Sequence, residues 1–221
     1  MPAAPIERPQ PLGFRLAHRA MRGDARRLAD LAGRIGAGVV VCDRRRAAAL
    51  ADYVCRVCDG VHLHHDIEDR HLWPVIDRAA GAEVDLAELS DDHRALESLL
   101  DQVRAAVTAF AAAPSDRVAA RRLAQVLEGL RDLLDEHIEE EERTVLPLVE
   151  RYVSAADWRR VEAAARLAGD PWFDLPRIER FAAPDELAEL HALAGPVLRV
   201  ALLLLRPVHR RRERLIFGQS R

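Results

Sequence analysis

Residues 50–75 read LADYVCRVCDGVHLHHDIEDRHLWPV, and residues 123–148 read LAQVLEGLRDLLDEHIEEEERTVLPL. In the first stretch Leu50, Val54, Val57, Val61, His64, Glu68, Leu72 and Val75 recur in steps of three and four. That is the spacing of one helix face. Shifted by 73 positions, the same steps give Leu123, Leu127, Leu130, Leu134, His137, Glu141, Val145 and Leu148. Apolar meets apolar, His meets His, Glu meets Glu, and Pro74 meets Pro147. Two helices with one shared face are therefore expected, each carrying a His and a Glu one turn apart within an apolar stripe.

The segments before them repeat as well. Phe14, His18, Met21, Leu28 and Ile35 map onto Leu89, His93, Leu96, Val103 and Phe110 at a shift of 75. A helix pair thus occurs twice, over residues 12–80 and 85–152. Two such pairs predict an all-α fold, an antiparallel up-down four-helix bundle over residues 12–153. Gly36 and Gly38 stop the first helix, and Asp43 is placed to cap the second. Pro114 ends the third, and Ser115 or Asp116 caps the fourth. Residues 1–11 hold four prolines and read as a flexible arm. Residues 154–221 read as a proline-interrupted helical extension.

Composition narrows the function classes. The chain has 221 residues, 49% hydrophobic and 31% charged, with a net charge of -3. A near-neutral balance gives no general attraction to nucleic acid. Every basic residue is Arg and there is no Asn, which we read as codon bias of a GC-rich genome. Three Cys do not make a disulfide framework. The N-terminal residues lack the apolar core of a signal peptide, and no run is long enough to span a bilayer, so a cytoplasmic location is expected.

The chemistry lies in the stripes. Residues four apart on a helix differ by about 40° around its axis. His64 with Glu68 and His137 with Glu141 therefore share the buried faces, and His18 and His93 join them from the other two helices. Two unpartnered carboxylates in such an interior would be very costly. Two metal ions remove that cost. Four imidazoles and two carboxylates suit iron, manganese or zinc, and a carboxylate-bridged pair with an open position suits iron. The ferritin-like pattern differs, because there Glu precedes His by three.

The chain resembles the hemerythrin-like, or HHE cation-binding, family. The resemblance rests on His18, on His64-His65-Asp66-Ile67-Glu68-Asp69 leading to Leu72-Trp73-Pro74, on His93, and on His137-Ile138-Glu139-Glu140-Glu141-Glu142 leading to Leu146-Pro147. It implies that His18, His64, Glu68, His93, His137 and Glu141 ligate a non-haem di-iron centre. The centre would be oxo- or hydroxo-bridged, with zinc or manganese as lesser alternatives to iron. The implied partners are oxygen, nitric oxide or peroxide, with catalase-like, peroxidase-like or nitric-oxide-related activity. The alternative is an iron, oxygen or redox sensor, or an iron-handling module, without turnover. The oxygen-carrying members place a second His four residues after the third-helix His, where this chain has Glu97. They also have an Asp five residues after the fourth-helix His, where this chain has Glu141 at a spacing of four. Fewer imidazoles and more carboxylate distance the site from reversible oxygen carriage.

Several residues stand outside this set. His65 and Asp69 lie about 100° from the His64–Glu68 pair. They read as an extra ligand, a proton relay or a helix-surface pair. His71 falls one turn beyond Glu68 on the ligand face and reads as a hydrogen-bonding group for the site or as a cap of the bundle end, and Glu97 reads as a third carboxylate or as an acceptor behind the ligands. Glu142 reads as an orienting group for His137 or its neighbours. Cys55-x-x-Cys58 has only Cys42 to join it and reads as helix-contact residues. Val197–Leu205 is apolar but for Arg199, and an Arg-rich run follows. It is too short to span a membrane. It reads as a helix folded back on the bundle with arginines outward, or as a peripheral membrane or partner contact.

Overall fold

A computed structural model describes residues 8–81 and 85–218. Eight α-helices follow one another: α1 Leu12–Gly36, α2 Arg44–Ile67, α3 Trp73–Ala80, α4 Ala87–Ala112, α5 Arg117–Tyr152, α6 Ala155–Ala168, α7 Pro171–Phe181 and α8 Pro184–Phe217. A five-residue π-helical turn, Glu68–Leu72, joins α2 to α3. Together α2, the π turn and α3 form the one long helix expected from residue 43 to 80. No strand occurs among the described residues.

The caps follow from side-chain chemistry. Asp43 accepts from the Arg46 N–H at 2.7 Å, and Asp116 from the Val118 N–H at 2.8 Å. Ser154 Oγ accepts from the Asp157 N–H at 3.0 Å and starts α6. After α1 the chain turns at Gly38, whose φ of 76° favours glycine. Residues 1–7 of the expected flexible arm lie outside the described residues. The end of that arm is held in place: Pro9 is buried, and the Gln10 carbonyl accepts from Trp158 Nε1 at 3.2 Å.

The four-helix core is a ring in which α1 packs on α5, α5 on α4, α4 on α2, and α2 back on α1. Leu50, Val54, Val57, Val61, Leu123, Leu127, Leu130 and Leu134 are all buried to within 1%. The apolar positions of the stripes depart from the sequence pattern only at their last step. Ile76 and Val149 are fully buried, whereas Val75 and Leu148 are partly exposed. The step is four rather than three on both helices, so the twofold relation persists.

The extension caps one flank of this ring. α7 packs on α1, and α8 on α7, α2 and α1. A buried ionic cluster joins them. Asp24 of α1, with no exposure, accepts from Tyr53 Oη at 2.9 Å and from Arg177 Nε at 2.6 Å. Arg27 reaches both Asp24 at 3.3 Å and Glu213 of α8 at 2.6 Å. Gly23 of α1 permits the close approach of α7, because a Cβ there would overlap the Phe181 ring. Gly23→Ala should therefore cost about 1–3 kcal/mol, the usual range for overpacking, in a chemical denaturation curve. No helix among the described residues is long and apolar enough to cross a membrane.

Candidate metal centre

The apolar stripes hand over to polar groups at one level of the bundle. Two clusters of ligand-type atoms form there: His18, His64, Glu68 and Glu141, and beside them His65, His93 and His137. Within each cluster the atoms lie within 4.8 Å of one another. α1 supplies His18, and α2 supplies both His64 and His65. The π turn supplies Glu68, α4 His93, and α5 His137 and Glu141.

His18 and His64 face each other with Nε2 atoms 2.8 Å apart. Glu68 stands between the clusters, its Oε1 2.8 Å from His64 Nε2 and its Oε2 3.5 Å from His93 Nε2. Glu141 does the same from the other side. Its Oε2 is 3.3 Å from His18 Nε2 and 3.9 Å from His137 Nε2. Each carboxylate thus touches imidazoles of both clusters. Glu68 and Glu141 are 1% and 0% exposed.

A second layer of carboxylates lies behind three of the rings. Glu142 accepts from His18 Nδ1 at 3.0 Å, and Asp69 from His93 Nδ1 at 3.0 Å. Asp92 lies 3.5 Å from His137 Nδ1. A carboxylate accepts only, so it fixes the proton on Nδ1 and leaves the Nε2 lone pair facing inward. Aromatic rings wall the site. Phe14 sits 4.2 Å from the His18 ring centroid and 5.2 Å from that of His64, and Trp73 stacks on His93 at 5.9 Å.

Electrostatics follow from this packing. Burial pulls the His65 pKa well below its ordinary value, and its neighbouring imidazoles add to the effect. Burial, with His18 next to it, does the same to His64. Burial and then Glu141 push Glu68 well above the carboxylate range. For His18, burial is outweighed by Glu141 and Glu142, and the pKa rises. For Glu141, burial is outweighed by His18 and His64, and the pKa falls.

The donor set fits metal cations. His65 Nε2, His93 Nε2, His137 Nε2 and all four carboxylate oxygens of Glu68 and Glu141 are buried without a hydrogen-bond partner. The short His–Glu contacts lack hydrogen-bond geometry. Folded proteins leave few such atoms unsatisfied, and seven of them at one place suit bound cations, which would compensate them. The set contains imidazole and carboxylate but no thiolate.

Some expected residues stand elsewhere. His65 is 5% exposed and stacks on His93 at 4.3 Å, so it is a member of the inner cluster rather than of a helix-surface pair. Its burial was hidden because the position lies on the shoulder of α2 and is covered only when α4 and α5 are docked. With it the cluster has five imidazoles, one more than the sequence pattern indicates. Asp69 reaches His93 from behind. Glu142 holds His18, not His137. His71 is exposed, because a π turn rotates less per residue than an α turn and leaves it short of the inner face. Glu97 lies at the surface, bonded to His62 Nδ1 at 2.7 Å, and joins neither cluster. Asp92 and Trp73 join the site without any sequence signal. Asp92 stands next to His93, and Trp73 begins the helix after the π turn, but neither has a spacing signature. Cys58 is buried in the apolar core, where burial pushes its thiol up to about 12.

Comparison with known proteins bears on the same residues. The family model of the hemerythrin HHE cation binding domain matches residues 13–149, which include every residue of both clusters. No curated protein and no solved structure matches the chain. With more than half of its length matched, a helical bundle around it and a His/Glu cluster at its centre, the chain belongs to the hemerythrin HHE cation-binding family.

Proposed function

We propose that the two clusters hold two iron ions as a non-haem di-iron centre that binds oxygen, nitric oxide or peroxide. One observation carries this reading: Glu68 and Glu141 each present oxygen to imidazoles of both clusters. Shared carboxylates are what two adjacent cations require. His18 and His64 would serve one ion, and His65, His93 and His137 the other. Zinc favours four-coordinate sites, and manganese favours oxygen-rich ones, so five imidazoles with two shared carboxylates suit iron better. Bound iron supplies redox chemistry toward small oxygen and nitrogen ligands.

The chain's own residues set the terms of that chemistry. Phe14, Trp73 and the apolar stripes keep bulk water from the centre. His64 is the most exposed of the five rings, at 14% of its side chain, so a small ligand would enter from its side. Glu142, Asp69 and Asp92 orient imidazoles and can hold a proton near the centre. Glu142→Gln should weaken iron binding about 10- to 100-fold while leaving the helix content intact. Iron titration followed by optical absorption and circular dichroism checks both halves of this expectation.

A second reading, a sensor or iron-handling module without turnover, has a specific observation behind it. Arg19, next to His18, donates to the Phe181 carbonyl at 3.2 Å and pairs with Glu186. The extension therefore touches the metal-bearing helix directly, and could report occupancy of the centre. Peroxide consumption by the iron-loaded protein separates the readings. Turnover well above that of an equal amount of free iron supports the enzyme. Turnover no greater than free iron removes it and leaves the sensor.

A further inference from the structure

The C-terminal half of α8 has two apolar faces, and the bundle uses only one. Leu198, Leu202, Leu205 and Ile216 are buried against α2 and α7. On the opposite side Val197, Val200, Leu203, Leu204 and Val208 are 77%, 56%, 62%, 67% and 65% exposed. By helix geometry they form one strip, extending over about 16 Å. The strip begins after a break in α8 at Gly195, where φ is 69°. Large aliphatic side chains grouped this way on a surface mark a contact site.

The charges around the strip have one sign. From residue 190 to 217 there are six Arg and one acid, Glu213. Glu213 is buried and engaged by Arg27 at 2.6 Å and Arg180 at 3.1 Å. Arg206 is held by Glu179 at 2.9 Å, and Arg212 lies 3.5 Å from Asp52. The other four, Arg199, Arg210, Arg211 and Arg214, are exposed and have no acidic partner among the described residues. Arg199 and Arg210 lie along one edge of the strip, and Arg211 and Arg214 continue beyond its end.

We propose that this face of α8 docks on an anionic phospholipid surface. Charge complementarity selects the occupant. A second copy docking through the same face would bring arginines against arginines, with no acid on the face to meet them. An acidic protein would satisfy the arginines. Yet the strip itself offers only Val, Leu and Pro, with neither the Trp nor the Tyr anchors that are enriched at protein interfaces. A lipid surface needs neither. Aliphatic side chains enter the acyl boundary, and guanidinium groups take phosphate oxygens in pairs. The apolar run is too short and the rest of the helix too charged to span, so the contact is peripheral. It does not depend on the metal centre.

Vesicle flotation of the full chain tests this, with phosphatidylcholine vesicles against mixed phosphatidylcholine and phosphatidylglycerol vesicles. Binding is expected to the mixed vesicles at least tenfold above the neutral ones, and to fall with added salt. Arg210→Gln and Arg211→Gln should each lower it about fivefold. Val200→Glu with Leu204→Glu should abolish it. Both positions are already more than half exposed, so circular dichroism should be unchanged. Equal binding to both vesicle types would overturn the proposal, as would no binding to either. So would a dimer in solution that Leu204→Glu dissociates, because a second copy would then cover the strip. Capture by an acidic helical peptide in preference to the mixed vesicles would equally overturn it.

Discussion

Glu141→Ala is expected to lose most of its iron, from about two atoms per chain to well under one. The carboxylate touches imidazoles of both clusters, so its removal takes an oxygen donor from each. His137→Ala and His65→Ala should lower the content as well, chiefly at the cluster of three imidazoles. His62→Ala is the control. It lies two residues from His64, yet it is exposed and bonded to Glu97. Its iron content should equal that of the parent protein. Metal analysis on protein purified under the same conditions reads all four. Equal content throughout would discard the ligand assignment.

The same geometry predicts an inversion of stability. Both Glu68 oxygens are buried without a hydrogen-bond donor from the protein. An unsatisfied buried polar group costs about 1–3 kcal/mol. Glu68→Leu should thus make the metal-free protein more stable by about that amount, and should abolish the stabilisation that iron gives the parent. Denaturation curves with and without iron give both values. A variant less stable than the parent in the absence of metal would mean that Glu68 supports the fold itself.

The second large effect is expected far from the His/Glu clusters. Asp24 and Arg177 are 0% and 4% exposed, and are joined at 2.6 Å. Asp24→Ala leaves the Arg177 guanidinium buried beside Tyr53 with only Asp174, at 2.8 Å, to compensate it. Breaking a buried pair in this way costs about 3–5 kcal/mol. Replacing both partners, as in Asp24→Leu with Arg177→Met, should recover part of the loss, because the buried guanidinium goes with its partner while Asp174 and Tyr53 Oη each lose one bond. Chemical denaturation of the two variants and the parent gives the comparison. If the double variant is as unstable as Asp24→Ala, the pair acts through packing rather than charge.

These residues also show what a sequence can carry. His64 with Glu68 and His137 with Glu141 were legible because helix periodicity puts them on stripes that are otherwise apolar, and because the stripes repeat. His18 and His93 were legible through the same repeat. His65 was not, since on α2 alone it stands about 100° from that stripe and becomes interior only once α4 and α5 close over it. Glu97 shows the converse. It occupies the position where the oxygen-carrying members have a second His, yet its side of α4 faces solvent and His62. The outward turn of His71 depended on the π turn, which the sequence does not mark. Pro74 follows that turn, but Pro147 sits at the matching place in α5 without one. Asp24, Arg177 and Glu213 lie in three helices far apart in the chain, and no spacing rule connects them.

Diffraction from crystals of the iron-loaded protein, recorded at the iron absorption edge, tests the centre most directly. Two anomalous peaks are expected, one against His18 and His64 and the other against His65, His93 and His137, with Glu68 and Glu141 contacting both. A single peak, or iron found only at the protein surface, would contradict a shared two-metal site.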